Sequence, residues 1–107
     1  MALLKPSRAS ADDKFGPSVN VILAVYNEEE VIGEKIQNFL SLDYPPESLG
    51  MIIISDQCTD KTEEIIKSFH CNRIKLVVQE RRLGKTSAIN SGVSAAMGEI
   101  LVFTDAL

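Results

Sequence analysis

A doubly wound, Rossmann-like α/β fold is predicted for this 107-residue chain, with four parallel strands in the order β-α-β-α-β-α-β and helices on both faces. Three features predict it. Four short apolar runs rich in β-branched residues recur at regular intervals, and each gap between them carries a segment with helical spacing. The runs are apolar on consecutive positions rather than alternating ones, as in strands covered on both sides. Right-handed crossovers then favour the strand order 3-2-1-4. A chain of this size buries about 60–70% of its unfolded surface, enough for one sheet and a few covering helices.

The elements follow in order. Residues 1–18 are polar and broken by Pro6, Gly16 and Pro17, which predicts a loosely ordered tail. Within it, Ala2-Leu3-Leu4 followed by Lys5 and Arg8 would suit the cytoplasmic end of a transmembrane helix in a longer protein. Residues 19–26 (VNVILAVY) read as the first strand. Residues 28–42 place Ile32, Ile36, Phe39 and Leu40 on one helical face, with Glu28, Glu29 and Glu30 in the first turn, where the helix dipole favours negative charge. Asp43, Pro45 and Pro46 end that helix. Residues 49–55 (LGMIIIS) form the second strand. Asp60 and Glu63 have capping-box spacing for a helix through Phe69, with Ile65, Ile66 and Phe69 inward. Residues 74–79 make the third strand. Residues 85–97 make a third helix packing Ile89, Val93 and Ala96, with Gly98 closing it. Residues 99–104 make the fourth strand, so residues 19–107 read as one domain.

Bulk properties narrow the function classes. The chain is 45% hydrophobic and 24% charged, with a formal net charge of −4, which argues against nucleic acid as a partner because phosphate neutralisation needs a clustered basic surface. Cys58 and Cys71 form no C-x-x-C pair, and with one histidine, His70, a structural zinc set is lacking. They read as reduced thiols of a cytoplasmic domain. No apolar stretch reaches the roughly 18 residues of a membrane span, and no signal peptide is visible.

Open parallel sheets bind ligands beyond the carboxyl ends of their strands, where strand order reverses. That rule selects Tyr26-Asn27-Glu28, Asp56 to Asp60, Arg81 to Lys85, and Thr104-Asp105. Under the order 3-2-1-4, Glu28 and Asp105 share one edge of a crevice with Asp56 alongside. Three converging carboxylates repel unless a positive group lies between them, which points to a divalent cation, magnesium or manganese, that would also hold a phosphate. Asp56 has the alternative of accepting hydrogen bonds from a base or ribose. Lys85, at the start of the third helix, supplies counter-charge. Asp60 reads as a helix cap, His70 as a complement to a helix dipole, and Arg81 and Arg82 as loop charges, Arg82 within reach of a phosphate.

Two other doubly wound or phosphate-binding classes fail on specific residues. Gln79 to Thr86 ends in Gly-Lys-Thr, but a P-loop needs its first glycine where Gln79 stands. A phosphoacceptor receiver domain needs an aspartate after the third strand, where Gln79-Glu80-Arg81 are found.

At these residues the sequence resembles the family 2 glycosyltransferases of the GT-A fold. Ala24 to Glu29 (AVYNEE) resembles the opening P-x-Y-N-E element. Asp56 to Thr62 (DQCTDKT) resembles the D-x-S-x-D-x-T loop, with Gln57-Cys58 where glycine-serine is usual. Gly84-Lys85 followed by Ala88 to Gly92 (AINSG) resembles the G-K-x-x-A-L-N-x-G helix, and Gly98 to Ala106 the strand leading into D-x-D. The resemblance implies a truncated GT-A domain, its nucleotide-sugar-binding half. Ala24, Tyr26, Glu28, Asp56, Lys85 and Asp105 would bind the nucleotide, Asp56 through a base that is commonly uracil, and Asp105 would sit near the metal. Leu107, at the third D-x-D position, cannot ligate one. The implied activity is inverting transfer of a sugar from a nucleoside diphosphate, UDP above all, to a hydroxyl of a saccharide or lipid-linked acceptor, in polysaccharide or glycoconjugate synthesis. The catalytic base would lie beyond residue 107, leaving this part inactive alone, and the whole protein could be membrane-associated with this domain on the cytoplasmic side. The alternative reading is a non-catalytic nucleotide-binding or scaffolding domain of the same fold.

Overall fold

Strand pairing in the computed structural model, which describes residues 2–4 by their backbone and residues 18–104 in full, gives a five-stranded sheet. Its strands are β1 (Ala2–Leu4), β2 (Val19–Val25), β3 (Leu49–Ser55), β4 (Ile74–Val78) and β5 (Ile100–Phe103). The helices are α1 (Ile32–Leu40), α2 (Thr62–Ser68) and α3 (Lys85–Ala95), with a short 3-10 turn at Pro46–Ser48. Sheet order is β1-β5-β2-β3-β4. The four strands β4-β3-β2-β5 are parallel and reproduce the expected 3-2-1-4 order.

The fifth strand departs from expectation. Ala2–Leu4, inside the segment read as a loose tail or the end of a membrane helix, pairs antiparallel with β5, Leu3 opposite Val102. An open edge on β5 would leave a row of unpaired backbone groups, and a short apolar run satisfies them as well as it would begin a helix. The Ser18 carbonyl also accepts the Glu99 and Ile100 N–H groups, both at 2.9 Å, which ties the entry of β2 to the entry of β5. No helix among the described residues is long and apolar enough to cross a membrane.

Alternation of side chains along the strands divides the core into two layers. Val21, Leu23 and Val25 of β2 with Leu49, Met51 and Ile53 of β3 meet Ile32, Ile36 and Phe39 of α1 and Ile66 of α2, all buried. On the other face Ile22, Ile52 and Ile54 meet α3 through Ala88. This second layer is thin because α3 presents small residues to the sheet. Ala88 and Gly92 are its buried positions. The expected inner face of Ile89, Val93 and Ala96 is therefore corrected: Val93 is exposed, Ile89 only half-buried, and Ala96 alone packs partly against the layer. Hydrophobicity alone chose the wrong helical face, since close approach of a backbone to a sheet selects small residues rather than large ones.

Helix starts also shift. Glu28, Glu29 and Glu30 precede α1 in turns rather than forming its first turn, where Glu34 is the acidic residue. The Glu28 carbonyl accepts the Val31 and Ile32 N–H groups at 3.0 and 2.8 Å, so the residue belongs to the strand-end loop.

Candidate functional site

Two of the depressions lined by described residues lie at opposite ends of the strands. The larger, about 630 Å³, is an open groove at the amino ends of the strands, lined by residues such as Asn20, Gly50, Arg73 and Lys75. The smaller, about 390 Å³, lies at the carboxyl ends and is lined by Ala24, Val25, Tyr26, Glu28, Asp56, Arg82, Gly84, Lys85 and Ala88. The second is the candidate site, because carboxyl strand ends are where loops carry polar groups without breaking the ladder. Five of the six expected residues, Ala24, Tyr26, Glu28, Asp56 and Lys85, line this one cavity. Asp105 lies outside the described residues.

Asp56 is its most constrained group. It is 4% exposed, and its Oδ1 accepts the Leu83 N–H at 2.8 Å and the Gln79 Nε2–H at 3.1 Å. Oδ2 accepts the Gly84 N–H at 3.0 Å and faces Arg82 Nε at 3.5 Å. These donors favour the carboxylate. The Leu83 N–H acts most strongly, opposed by burial and joined by Gly84, Gln79 and Arg82, and the pKa falls below the ordinary 3.8. Gly84, at φ 93°, turns both N–H groups inward in a backbone conformation that glycine adopts freely, and α3 starts at the next residue.

Gln79 was outside the expected site and proves central. It is buried, and its Oε1 accepts the Ser87 and Ser91 hydroxyls at 3.2 and 3.3 Å while its amide reaches Asp56. It fastens β4, Asp56 and α3 together. A glutamine ending an apolar strand carries no motif, so only the three-dimensional meeting of Ser87, Ser91 and Asp56 reveals it.

The loops after β2 and β3 are cross-latched. Asn27 donates from Nδ2 to Thr59 Oγ1 at 3.0 Å and accepts the Thr59 N–H at 2.7 Å. Thr62, fully buried, accepts the Glu28 N–H at 2.8 Å and donates to Asp60 Oδ1 at 2.5 Å. Asp60 also accepts the Thr62 and Glu29 N–H groups, at 2.9 and 3.2 Å. Burial is the largest single influence on its carboxyl and raises the pKa, but the Thr62 and Glu29 donors together outweigh it and the net direction is down. Asp60 thus stands one residue before the N-cap, Lys61, and binds the first helical residue, Thr62, rather than being the cap expected. Glu63 does not complete the capping box; it accepts the Ser55 hydroxyl at 2.5 Å instead. Thr62→Val should leave the Glu28 N–H without its acceptor and lower stability by about 1–2 kcal/mol in urea denaturation, with a blurred amide signal at Glu28.

The departure at Gln57-Cys58 has a structural account. Gln57 adopts φ 61°, the left-handed region where glycine is the easiest occupant, and its side-chain amide donates to the Gln79 carbonyl. The Cys58 thiol lies 3.2 Å from Ser55 Oγ and accepts the Asn27 N–H at 3.4 Å, contacts that a serine hydroxyl could also make.

Of the three carboxylates expected around a cation, Glu28 and Asp56 are described and Asp105 is not. Glu28 Oε1 is held at 2.7 Å by Lys35 Nζ, and Asp56 is surrounded by N–H donors and Arg82. The two described carboxylates thus each have a counter-charge, Lys35 for Glu28 and Arg82 for Asp56. Among the described residues no group of three or more His, Cys, Asp or Glu side chains stands close enough to hold a metal. Asp105, the metal residue implied by resemblance, belongs to the part left undescribed.

Comparison with known proteins agrees with this geometry. Residues 20–106 match the model of glycosyl transferase family 2. The chain is 38% identical over 89 residues to the poly-β-1,6-N-acetyl-D-glucosamine synthase of Staphylococcus epidermidis, covering 82% of this chain and 21% of that protein. Among solved structures it is similar to the mannosyltransferase PcManGT of Pyrobaculum calidifontis in complex with GDP-Man and Mn2+, at TM-score 0.80 and 34% identity, covering 94% of this chain and 30% of that one. It is also similar to S. aureus TarS in complex with UDP-GlcNAc, at TM-score 0.77 and 26% identity, covering 82% and 26%. The chain spans less than a third of the length of these relatives. With the parallel order of its sheet and the cavity at its strand ends, the chain belongs to the family 2 glycosyl transferases.

Proposed function

We propose that this chain is the nucleotide-sugar-binding half of a transferase that moves a sugar from a nucleoside diphosphate, UDP for preference, to an acceptor hydroxyl. The observation that carries the reading is the cavity at the carboxyl strand ends that Ala24, Tyr26, Glu28, Asp56 and Lys85 line together. Each supplies what one part of the ligand needs. Ala24 leaves room for a flat base, and the Tyr26 ring offers a stacking face. Asp56 accepts a ring N–H, the donor that uracil presents between its two carbonyls. Glu28 lies where ribose hydroxyls can donate. Lys85, beside the N-terminus of α3, faces the diphosphate, where helix amides and an ammonium both favour negative charge. Two relatives carry nucleotide sugars in their solved complexes, and these supports are consistent with that.

In the proposed reaction the acceptor oxygen attacks the anomeric carbon from the face opposite the leaving group. The bond to the diphosphate oxygen breaks, and the nucleoside diphosphate departs with that electron pair. The acceptor proton goes to a base outside residues 1–107. A divalent cation, manganese or magnesium, would stabilise the departing diphosphate when bound, and Asp105 is the residue of this chain proposed to approach it. Lys85 contributes charge stabilisation from this chain directly.

An NMR titration of the chain with UDP, with and without magnesium, tests the reading. Amide shifts are expected at Tyr26, Glu28, Asp56, Lys85 and Asp105. Shifts confined to the groove around Asn20, Gly50 and Arg73, or seen with ATP at residues 79–86 and not with UDP, would overturn it.

A further inference from the structure

The contacts of Arg82 are those a nucleobase would use. Its guanidinium carbon stands 3.5 Å from the centroid of the Tyr26 ring, ordinary stacking distance. Its Nε faces Asp56 Oδ2 at 3.5 Å. A planar group that stacks on Tyr26 and offers an N–H to Asp56 is a fair description of a uracil ring. Both residues and Arg82 line the same cavity. At 3.5 Å no ring can slide between guanidinium and tyrosine.

We infer that Arg82 is a built-in surrogate for the base: its side chain and a nucleobase exclude each other on Tyr26 and Asp56, so that donor binding requires Arg82 to swing away. This rests on the nucleotide-binding reading and deepens it. Three features make the exchange feasible. The Arg82 side chain is 59% exposed, so it has solvent to move into. The loop backbone stays in place, because Leu83 and Gly84 remain hydrogen-bonded to Asp56 through their own N–H groups. The Oδ2–Nε approach is the longest of the four contacts to Asp56 and the readiest to exchange, the other donors lying at 2.8–3.1 Å. Arginine suits the role because its guanidinium is flat and stacks on aromatic rings, whereas lysine does neither.

The consequence runs against the usual expectation for a basic residue beside an anionic ligand. Removing Arg82 should strengthen binding of the base. Uridine is the suitable probe, since it carries the base and ribose without a phosphate for arginine to attract. Arg82→Ala should bind uridine about three- to tenfold tighter than wild type, the scale of one exposed cation–π contact with a weak ion pair. Arg82→Lys should lie nearer to alanine than to wild type. The ring resonances of Tyr26, one of two tyrosines, should shift in Arg82→Ala without added nucleoside. A parallel titration with UDP separates the two ideas. If neither form binds UDP or uridine while both keep native spectra, the nucleotide reading itself fails and this one with it. If wild type binds UDP but Arg82→Ala binds uridine equally, more weakly or not at all, the surrogate role alone is overturned and Arg82 is part of the binding wall.

Discussion

Asp56→Asn should weaken UDP binding by about tenfold or more, the usual loss when a charged hydrogen-bond acceptor is removed from a recognition contact. Two effects combine. A carboxylate has acceptor sites only, and Asp56 uses both oxygens, one for Leu83 and Gln79 and the other for Gly84 and Arg82. Asparagine turns one of those positions into an NH2 donor, which must face an N–H or the cationic Arg82. The loop at residues 82–84 then loses half of its anchorage, and the base loses its acceptor. Alanine would remove the contact but leave more space. Asparagine keeps the volume, so a loss in affinity reports chemistry rather than a cavity. Isothermal calorimetry with UDP reads it directly, and unchanged affinity would mean that the base sits elsewhere.

The same residue sets a pH dependence whose sign is fixed by its environment. The folded-state pKa of Asp56 lies below 3.8, first through the Leu83 N–H, so the folded chain favours the ionised form more than the unfolded chain does. That contribution to stability is complete above about pH 4 and is lost as pH falls through the lowered value. Asp60 shifts in the same direction and acts in the same window. Urea midpoints of wild type and Asp56→Asn should therefore converge as pH drops below about 4, since the variant keeps Asp60 and lacks only the Asp56 contribution. Curves that stay parallel across that range would show that the Asp56 carboxyl is not held down by the loop.

How much of this was legible beforehand depends on whether a property repeats along the chain. The four parallel strands could be read because buried strands are apolar runs, and 49–55 was placed to the residue. Strand-end residues could be assigned to one crevice because topology decides which tips are adjacent, and five of them do line it. What escaped depends on contacts between distant segments. Gln79 looks like an ordinary strand end until Ser87, Ser91 and Asp56 surround it. Arg82 looks like a loop charge until it lies on Tyr26. Lys35 and Glu28 are seven residues apart, and their ion pair was not part of the expected site. Charge balance around a buried group can be met by any cation in reach, and sequence spacing does not say which.

The inner face of α3 is the instructive failure, and it yields the last prediction. A Cβ at Gly92 would stand 2.6 Å from both Ile22 Cγ2 and Ile54 Cδ1. Both isoleucines are fully buried, so neither can rotate into solvent. In isolation, replacing a mid-helix glycine by alanine gains about 1 kcal/mol of helix propensity. Overpacking a closed layer costs about 1–3 kcal/mol, so Gly92→Ala should come out destabilised by about 1 kcal/mol. Gly92→Val adds two more methyl groups to the same space with a smaller propensity gain. It should lose about 3 kcal/mol, lowering the thermal midpoint by about 12 °C or more for a chain of this size. Since α3 carries Lys85 and Ala88 to the cavity and Ser87 and Ser91 to Gln79, the valine variant should also weaken UDP binding, at a distance from the ligand. Ile54→Val removes the methyl group at Cδ1 and should cost about 1 kcal/mol alone. Combined with Gly92→Ala it should cost less than the two separate losses added together, because the deleted carbon is one of the two atoms that the new Cβ meets. Strict additivity would mean that α3 relieves the clash by lifting from the sheet as a whole, and the small residues at 88 and 92 would then not be what holds the helix at its present height.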